Sequence, residues 1–219
     1  MLKFFSITIL FGLSLLVSLL LPFPFLYKIL ISTSLTTFYS GILIWGASSI
    51  NSQLFMHTIC KNNNEKLVAI TFDDGPDESN TEEILDVLSK YNSKASFFFI
   101  GSKIEKHQEL VIKAHKNHHT IGNHTFTHAN NFPVKSKRAI KAEIEKTQEC
   151  IKSVTGKENV YFRPPFGVTN PNIAKAIKGM NLEVIGWSIR SFDTMHKSKE
   201  QTLKRVISKI KGGDIYIVA

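Results

Sequence analysis

The chain has 219 residues, with 27 lysines and arginines against 18 acidic residues and a formal net charge of +9. The surplus is scattered over amphipathic stretches such as 135–152 and lacks interleaved aromatics, so it reads as solvated helix faces and argues against nucleic acid as a partner. Two cysteines, Cys60 and Cys150, have no metal-type spacing and exclude a disulfide framework; both read as free thiols.

The first 60 residues contain no acid and only two bases, Lys3 and Lys28. Residues 4–27 and 29–56 are uncharged, and each stretch is long enough to cross about 30 Å of hydrocarbon. Helices are predicted at about 4–27 and 29–50, forming a membrane anchor over residues 1–60 of one or two spans. A cleaved signal peptide is the alternative, which Pro22-Phe23-Pro24 fits poorly. The second stretch is diluted by Ser32, Thr33, Ser34, Thr36, Thr37 and Ser40, small residues that also let helices pack closely. Lys3 and Lys28 pull the orientation in opposite directions, so charge bias does not set it. Residues 61–66, with Asn62-Asn63-Asn64, read as a short polar linker.

From residue 67 to 219, short apolar runs alternate with amphipathic stretches, the pattern of repeated βα units. Strands are predicted at 67–72, 95–100, 120–122, 160–163, 182–188 and 214–218. Helices are predicted from Ser79 or Asn80, whose side chains can cap free amides, and at 102–117, 135–155, 171–179 and 199–211. The run Ala95-Ser96-Phe97-Phe98-Phe99-Ile100 suits a parallel strand covered on both faces.

Three strings sit at the ends of predicted strands: Thr-Phe-Asp-Asp-Gly-Pro at 71–76, His-Thr-Phe-Thr-His at 124–128 and Arg-Pro-Pro-Phe-Gly at 163–167. Strand C-termini in a βα architecture gather on one face, so Asp73, His124 and Arg163 are expected in one site. Two imidazoles and one carboxylate leave a coordination position open for water, as in catalytic zinc sites. With no His-Glu-x-x-His, the base must come from elsewhere, and Asp73 or Asp74 can supply it. Each string alone has a plainer reading: a turn, a surface histidine pair, a rigid extended loop.

In this order the strings resemble those of the polysaccharide deacetylases of carbohydrate esterase family four, over residues 67–219. The resemblance implies an α/β fold, a distorted (β/α) barrel left incomplete here. It also implies hydrolytic deacetylation of an N-acetylated or O-acetylated glycan such as peptidoglycan or a chitin-like polymer. That is a hydrolase acting on carbon–nitrogen non-peptide bonds in the cell envelope, outside the cytoplasmic membrane. By the same resemblance Asp73 is the general base, and Asp74, His124 and His128 bind a divalent metal, usually zinc, with cobalt or manganese as substitutes. Arg163 pairs with Asp73 and keeps it anionic. Pro165, Phe166 and Gly167 form a groove wall, where a backbone amide holds the oxyanion. Trp187 lines the acetyl pocket, although a core tryptophan explains it equally. His118 matches a position that supports the loop, while His118 and His119 otherwise read as partly exposed polar residues.

Two departures from the family pattern follow. Of two acids expected after Trp187, the first is replaced by Arg190 and only Asp193 remains. The strand at 214–218 should be followed by a histidine that protonates the leaving amine, then a helix and a strand. The chain stops at Ala219. A truncated barrel with an open sheet edge is therefore expected, lacking an acid typically worth about 100 to 10,000-fold in rate. Two rival readings remain: an inactive relic that binds glycan and metal, and an amidase acting on a small acylated amine.

Overall fold

The computed structural model describes residues 2–191 and 198–218. It opens on an antiparallel pair of apolar helices, α1 (Leu2–Leu20) and α2 (Phe25–Ser48), with Pro22 and Pro24 in the turn where neither helix can continue. The pair is held by stacking of Phe11 on Tyr39, ring centroids 4.3 Å apart, and by a 2.9 Å hydrogen bond between the Thr8 and Tyr39 hydroxyls. Lys28 covers the end of α1 by donating Nζ to the Leu19 carbonyl at 2.7 Å. Because α2 ends at Ser48, residues 50–60 lie on the folded domain, where Ile50, Leu54, Phe55, Met56 and Cys60 are buried. The polar stretch after them is also engaged: Asn62 donates its N–H to the Gly213 carbonyl, and Gly213 donates to Leu67.

The domain then runs β1 (Ala69–Phe72), α3 (Asn80–Lys90), β2 (Ser96–Phe99), α4 (Gly101–Ile104), α5 (Gln108–Lys116), β3 (Thr120–Asn123), α6 (Lys137–Thr155), β4 (Tyr161–Phe162), α7 (Pro171–Ile177), β5 (Glu183–Val184), β6 (Ile189–Arg190), α8 (Lys199–Ile207) and β7 (Ile215–Val218). All neighbouring strands are parallel, in the order β5-β4-β3-β2-β1-β7-β6. It is an α/β fold built on a curled, incomplete (β/α) barrel. Its two ends differ from the open edge anticipated, because β5 and β6 are halves of one extended stretch. Ile185 donates to Phe162 of β4, while Ser188 donates to Ile215 of β7, so residues 183–190 draw the sheet's ends together. Ile59 bridges Ile185 at the switch between the two pairings.

Helix ends follow local chemistry. The cap of α3 is Asp77, which accepts from the Asn80 N–H at 2.7 Å, and not Ser79 or Asn80 as the sequence suggests. Ser136 caps α6 through the Ala139 N–H, and the helix stops at Gly156 in the left-handed region at φ 69°. The helix expected over 102–117 is broken in two. Gly101 and Ser102 donate to the Thr125 and Phe126 carbonyls, which ties α4 to the loop after β3.

Two apolar clusters support the strand ends. One joins Leu85, Leu88, Phe97, Phe99, Ile104, Val111 and Ile151; the other joins Phe132, Ile140, Ile144, Phe162, Ile173 and Val184 with Met56. Full burial of such side chains contributes about 1.5–3 kcal/mol each, and α6 lies in both clusters. Gly122 fits because any Cβ would meet the Phe98 ring at 2.5 Å.

Candidate metal centre

Asp73 and Asp74 follow β1, His124 follows β3 and Arg163 follows β4, so parallel register delivers all four to one end of the sheet. The loops that carry them are bent into unusual backbone. Asp74, Thr125, His128 and Phe166 adopt φ of 67°, 66°, 49° and 60°, a region that costs a non-glycine residue about 1–3 kcal/mol. Hydrogen bonds hold these conformations. Lys103 Nζ donates to the Asp74 carbonyl at 2.6 Å, and Ile100 donates to the Gly75 carbonyl at 2.8 Å. Thr125 N–H donates to Asn123 Oδ1 at 2.9 Å, while the Thr125 hydroxyl accepts from His128 N–H at 3.2 Å.

His124 is buried, with Nδ1 2.8 Å from the Arg163 carbonyl. A carbonyl only accepts, so Nδ1 carries the proton and Nε2 presents its lone pair. Burial, helped by the neighbouring His128, pushes the His124 pKa down to about 3, which keeps the ring neutral at ordinary pH. Nε2 of His124 lies 3.5 Å and Nε2 of His128 3.3 Å from Asp74 Oδ1. That oxygen is buried and has no hydrogen-bond partner.

Two imidazole nitrogens therefore converge on a buried carboxylate oxygen that has no hydrogen-bond partner, a donor set of the kind that holds a cation. The ligand atoms of Asp74, His124 and His128 all lie within 4.8 Å of one another. Bonds of about 2.0–2.2 Å to a tetrahedral ion separate its ligands by roughly 3.3–3.6 Å. The three residues thus fit a divalent metal.

Asp73 is almost fully buried and faces both the cluster and Arg163. Its Oδ1 accepts from Arg163 Nη1 at 2.6 Å, and its Oδ2 is 3.7 Å from His124 Nε2. Arg163 is itself wholly buried and also donates to Thr71 Oγ1, the Ile185 carbonyl and the Gly186 carbonyl. The guanidinium stacks 4.1 Å above the Phe98 ring centre. Burial raises the Asp73 pKa and the Arg163 charge lowers it only in part, so the net direction is upward. Arg163 acts on this carboxyl in the direction the sequence suggests, by charge and by hydrogen bond, and desolvation of the buried acid opposes it.

Of the groove residues, Phe166 is exposed, with its ring 4.9 Å from that of His128. Pro165 and Gly167 on either side of it are buried. Gly167 sits against the Trp187 indole so closely that a Cβ would come within 2.3 Å. Trp187 is half-buried, with its ring centre 5.7 Å from the Arg163 guanidinium. Asp193 lies outside the described residues. His119 is buried, not partly exposed, and accepts the Ala95 N–H at Nδ1, whereas His118 points to solvent.

Three supporting residues carry no sequence signal as strong as the motifs. Glu143 of α6 accepts the Phe126 and Thr127 N–H groups at 3.1 and 2.8 Å, and pairs with Lys135. Lys103 looks like any surface lysine of a helix. Asn123 alone had a hint, a polar residue closing an apolar strand beside His124; it anchors α6 through the Ile144 carbonyl and Gln148.

Comparison with known proteins places this geometry. The polysaccharide deacetylase family profile matches residues 60–185. A peptidoglycan-N-acetylglucosamine deacetylase of Bacillus cereus is 35% identical over 160 residues, covering 71% of this chain and 73% of its own. The peptidoglycan-N-acetylmuramic acid deacetylase PdaC of Bacillus subtilis is 32% identical, covering 71% of this chain and 32% of its own. A solved variant of a CE4 family pseudoenzyme from Bacillus anthracis, one with restored enzymatic activity, superposes with a TM-score of 0.69 at 27% identity, covering 74% of this chain and 60% of that one. The chain thus spans from about a third to about three-quarters of the length of these relatives. A match over more than half of the chain and 35% identity to a curated relative leave one assignment: the chain belongs to the polysaccharide deacetylase family.

Proposed function

We propose that the chain hydrolyses acetyl groups from an N-acetylated or O-acetylated glycan, of which peptidoglycan is the best-supported example. The observation that carries this reading is the orphaned Asp74 Oδ1 facing the Nε2 atoms of His124 and His128 beside a second, arginine-bound carboxylate. Asp74, His124 and His128 would hold the divalent metal, zinc by the family pattern with cobalt or manganese as substitutes. When bound, that ion supplies Lewis acidity toward the acetyl carbonyl and lowers the pKa of water.

The chain's own residues do the rest. Arg163 fixes Oδ1 of Asp73, which leaves Oδ2 as the acceptor for the proton lost by the attacking water. Asp73 can return that proton to the departing nitrogen as the C–N bond breaks, so that water and amide become acetic acid and amine, which at neutral pH are acetate and the ammonium form. Phe166 and Trp187 supply apolar walls on either side of Gly167, suited to a methyl group and a sugar face. Pro165 and Gly167 set the height of that wall, and a backbone amide there stabilises the developing oxyanion.

The apolar hairpin α1–α2 anchors the enzyme in a membrane, with the domain on the outer side where such glycans lie. The test is acetate release from N-acetylglucosamine oligomers, with and without chelator, compared with the Asp73→Asn variant. A second reading draws on the CE4 family pseudoenzymes among the similar solved structures. It is a domain that retains glycan without releasing acetate, and the same assay run beside a glycan-binding measurement separates the two.

A further inference from the structure

The last turn of α2 passes to the domain through direct bonds and not through a free linker. Thr169 donates its N–H to the Ala47 carbonyl at 3.1 Å and its hydroxyl to the Gly46 carbonyl at 3.3 Å. Asn51 Nδ2 donates to the Trp187 carbonyl at 3.0 Å. Ile50 packs on Gly186, whose carbonyl accepts from Arg163 Nη2 at 2.9 Å. At the start of α1, Phe4 packs on Phe55 with ring centres 5.3 Å apart. Both domain-side ends of the hairpin are therefore seated on the domain, one of them against the support of Arg163 itself.

The path from α2 to the metal centre is short. Thr169 is three residues beyond Phe166, whose ring lies 4.9 Å from that of His128. Three residues of chain span at most about 11 Å, and with the bond to Ala47, the Phe166 side chain and the ring contact the centre lies within roughly 25 Å of Ala47. The helices have 19 and 24 residues. At 1.5 Å per residue they are about 28 and 36 Å long, so a hydrocarbon core of about 30 Å ends near the Ala47 turn.

We propose that the centre is built to work on acetylated sugar carried by a lipid at the bilayer surface; the inference rests on the deacetylase and anchor readings above. A flexible tether would let the domain sample heights that grow with the square root of its length. Here the bonds from Thr169 and Asn51 fix one height. Glycan held well away from the membrane is out of reach of a domain seated in this way.

The experiment uses the full chain, zinc-loaded, in phosphatidylglycerol and phosphatidylethanolamine vesicles. An N-acetylglucosamine tetramer is offered in three forms: joined directly to a lipid headgroup, joined to the same lipid through a spacer, and free in solution. The spacer is a polyproline of roughly thirty residues, about 100 Å at 3.1 Å per residue. Acetate release from the direct form should exceed that from the spaced form at least tenfold. A variant carrying Thr169→Val and about twenty Gly/Ser residues inserted after Ser49, roughly 25 Å of reach, should lose most of that ratio. Its activity on the free tetramer reports that its domain is folded. Equal rates on the two lipid forms by the native chain, with the free tetramer still cleaved, overturn the inference and leave the deacetylase reading standing. No acetate from any form overturns the deacetylase reading and this inference with it. A readout independent of turnover uses the two tryptophans. With Trp45→Phe, energy transfer from Trp187 to dansyl-labelled headgroups should be stronger in the seated chain than in the spacer variant, and equal transfer would contradict the fixed height.

Discussion

The Nδ1–H of His124 donates to the backbone carbonyl of Arg163 at 2.8 Å, while the Arg163 side chain turns back to Asp73 at 2.6 Å. One residue of β4's end thereby fixes the tautomer of a metal-ligand candidate and the orientation of the base candidate. The three motifs act as one polar network, and loss of a member should be felt by the others.

Ligand substitutions test the metal centre directly. Changing an outer partner of a metal ligand typically costs about 10–100-fold in affinity. Replacing the ligand itself, as in Asp74→Asn or His124→Gln, should lower zinc affinity by more than about 100-fold in titration calorimetry. Exhaustive chelation should abolish acetate release, and zinc, cobalt or manganese should restore it. Undiminished turnover by the chelated chain would sink the metal reading.

Arg163→Met leaves the Asp73 carboxyl buried without its cation. Removing one partner of a buried pair costs about 3–5 kcal/mol, and urea denaturation should report a loss of that order. The double variant Asp73→Asn with Arg163→Met removes both charges and should regain part of the stability, with activity still absent. If the single variant is as stable as the native chain, the pair does not hold the strand ends as described.

The fold was legible where pattern and burial coincide. Phe97, Phe98 and Phe99 are near-fully buried on a central parallel strand, and the Asp-Asp-Gly-Pro, His-x-x-x-His and Arg-Pro-Pro strings all lie at strand ends. The closing of the sheet was not legible, because a single apolar run at 182–188 gives no sign that its two halves pair with different neighbours. Residues 50–60 were hidden for a similar reason. Ile50, Leu54, Phe55 and Met56 are as apolar as a membrane span, and composition does not say whether lipid or protein covers them. The pairing of Asp73 with a guanidinium was visible in sequence, and the desolvation that opposes it was not.

Glu143 is a positioning residue for the His124–His128 loop. Glu143→Ala leaves the Phe126 and Thr127 N–H groups without their acceptor, a loss of about 1–3 kcal/mol in unfolding experiments. Zinc affinity should also fall, because the loop that aims His128 is freed, and Glu143→Gln should restore part of it. A merely structural role would lower the melting temperature and leave affinity unchanged.

The same residue sets an acid limit. Burial raises the Glu143 pKa, but hydrogen bonds from Lys135 and Thr127 outweigh it and leave the group below its ordinary value of 4.5. As pH falls through about 4.5 the unfolded chain takes up the proton first, so folded stability begins to decline and is lost as the folded pKa is passed. Stability from this carboxylate is therefore complete above pH 4.5, and Glu143→Gln should flatten that part of the acid limb of a melting-temperature profile. An unchanged acid limb in the variant would assign the loss to other groups.

Gly167→Ala tests the groove wall. The glycine has φ 68°, which L side chains rarely adopt, and its added Cβ would meet the Trp187 ring at 2.3 Å. Either the Phe166–Gly167 turn or the indole must move, and both border the space assigned to the acetyl group. The backbone penalty alone is about 1 kcal/mol or more, while a displaced wall should act on catalysis more than on folding. A shift of about 1 Å in a positioning element can cost on the order of 100-fold in rate, so kcat on an N-acetylglucosamine oligomer should fall steeply while zinc affinity holds. Trp187→Ala combined with Gly167→Ala relieves the clash. If the combined variant recovers the turn's stability but not the rate, the indole itself is part of the pocket; if it recovers both, Trp187 is packing and the acetyl group is held elsewhere.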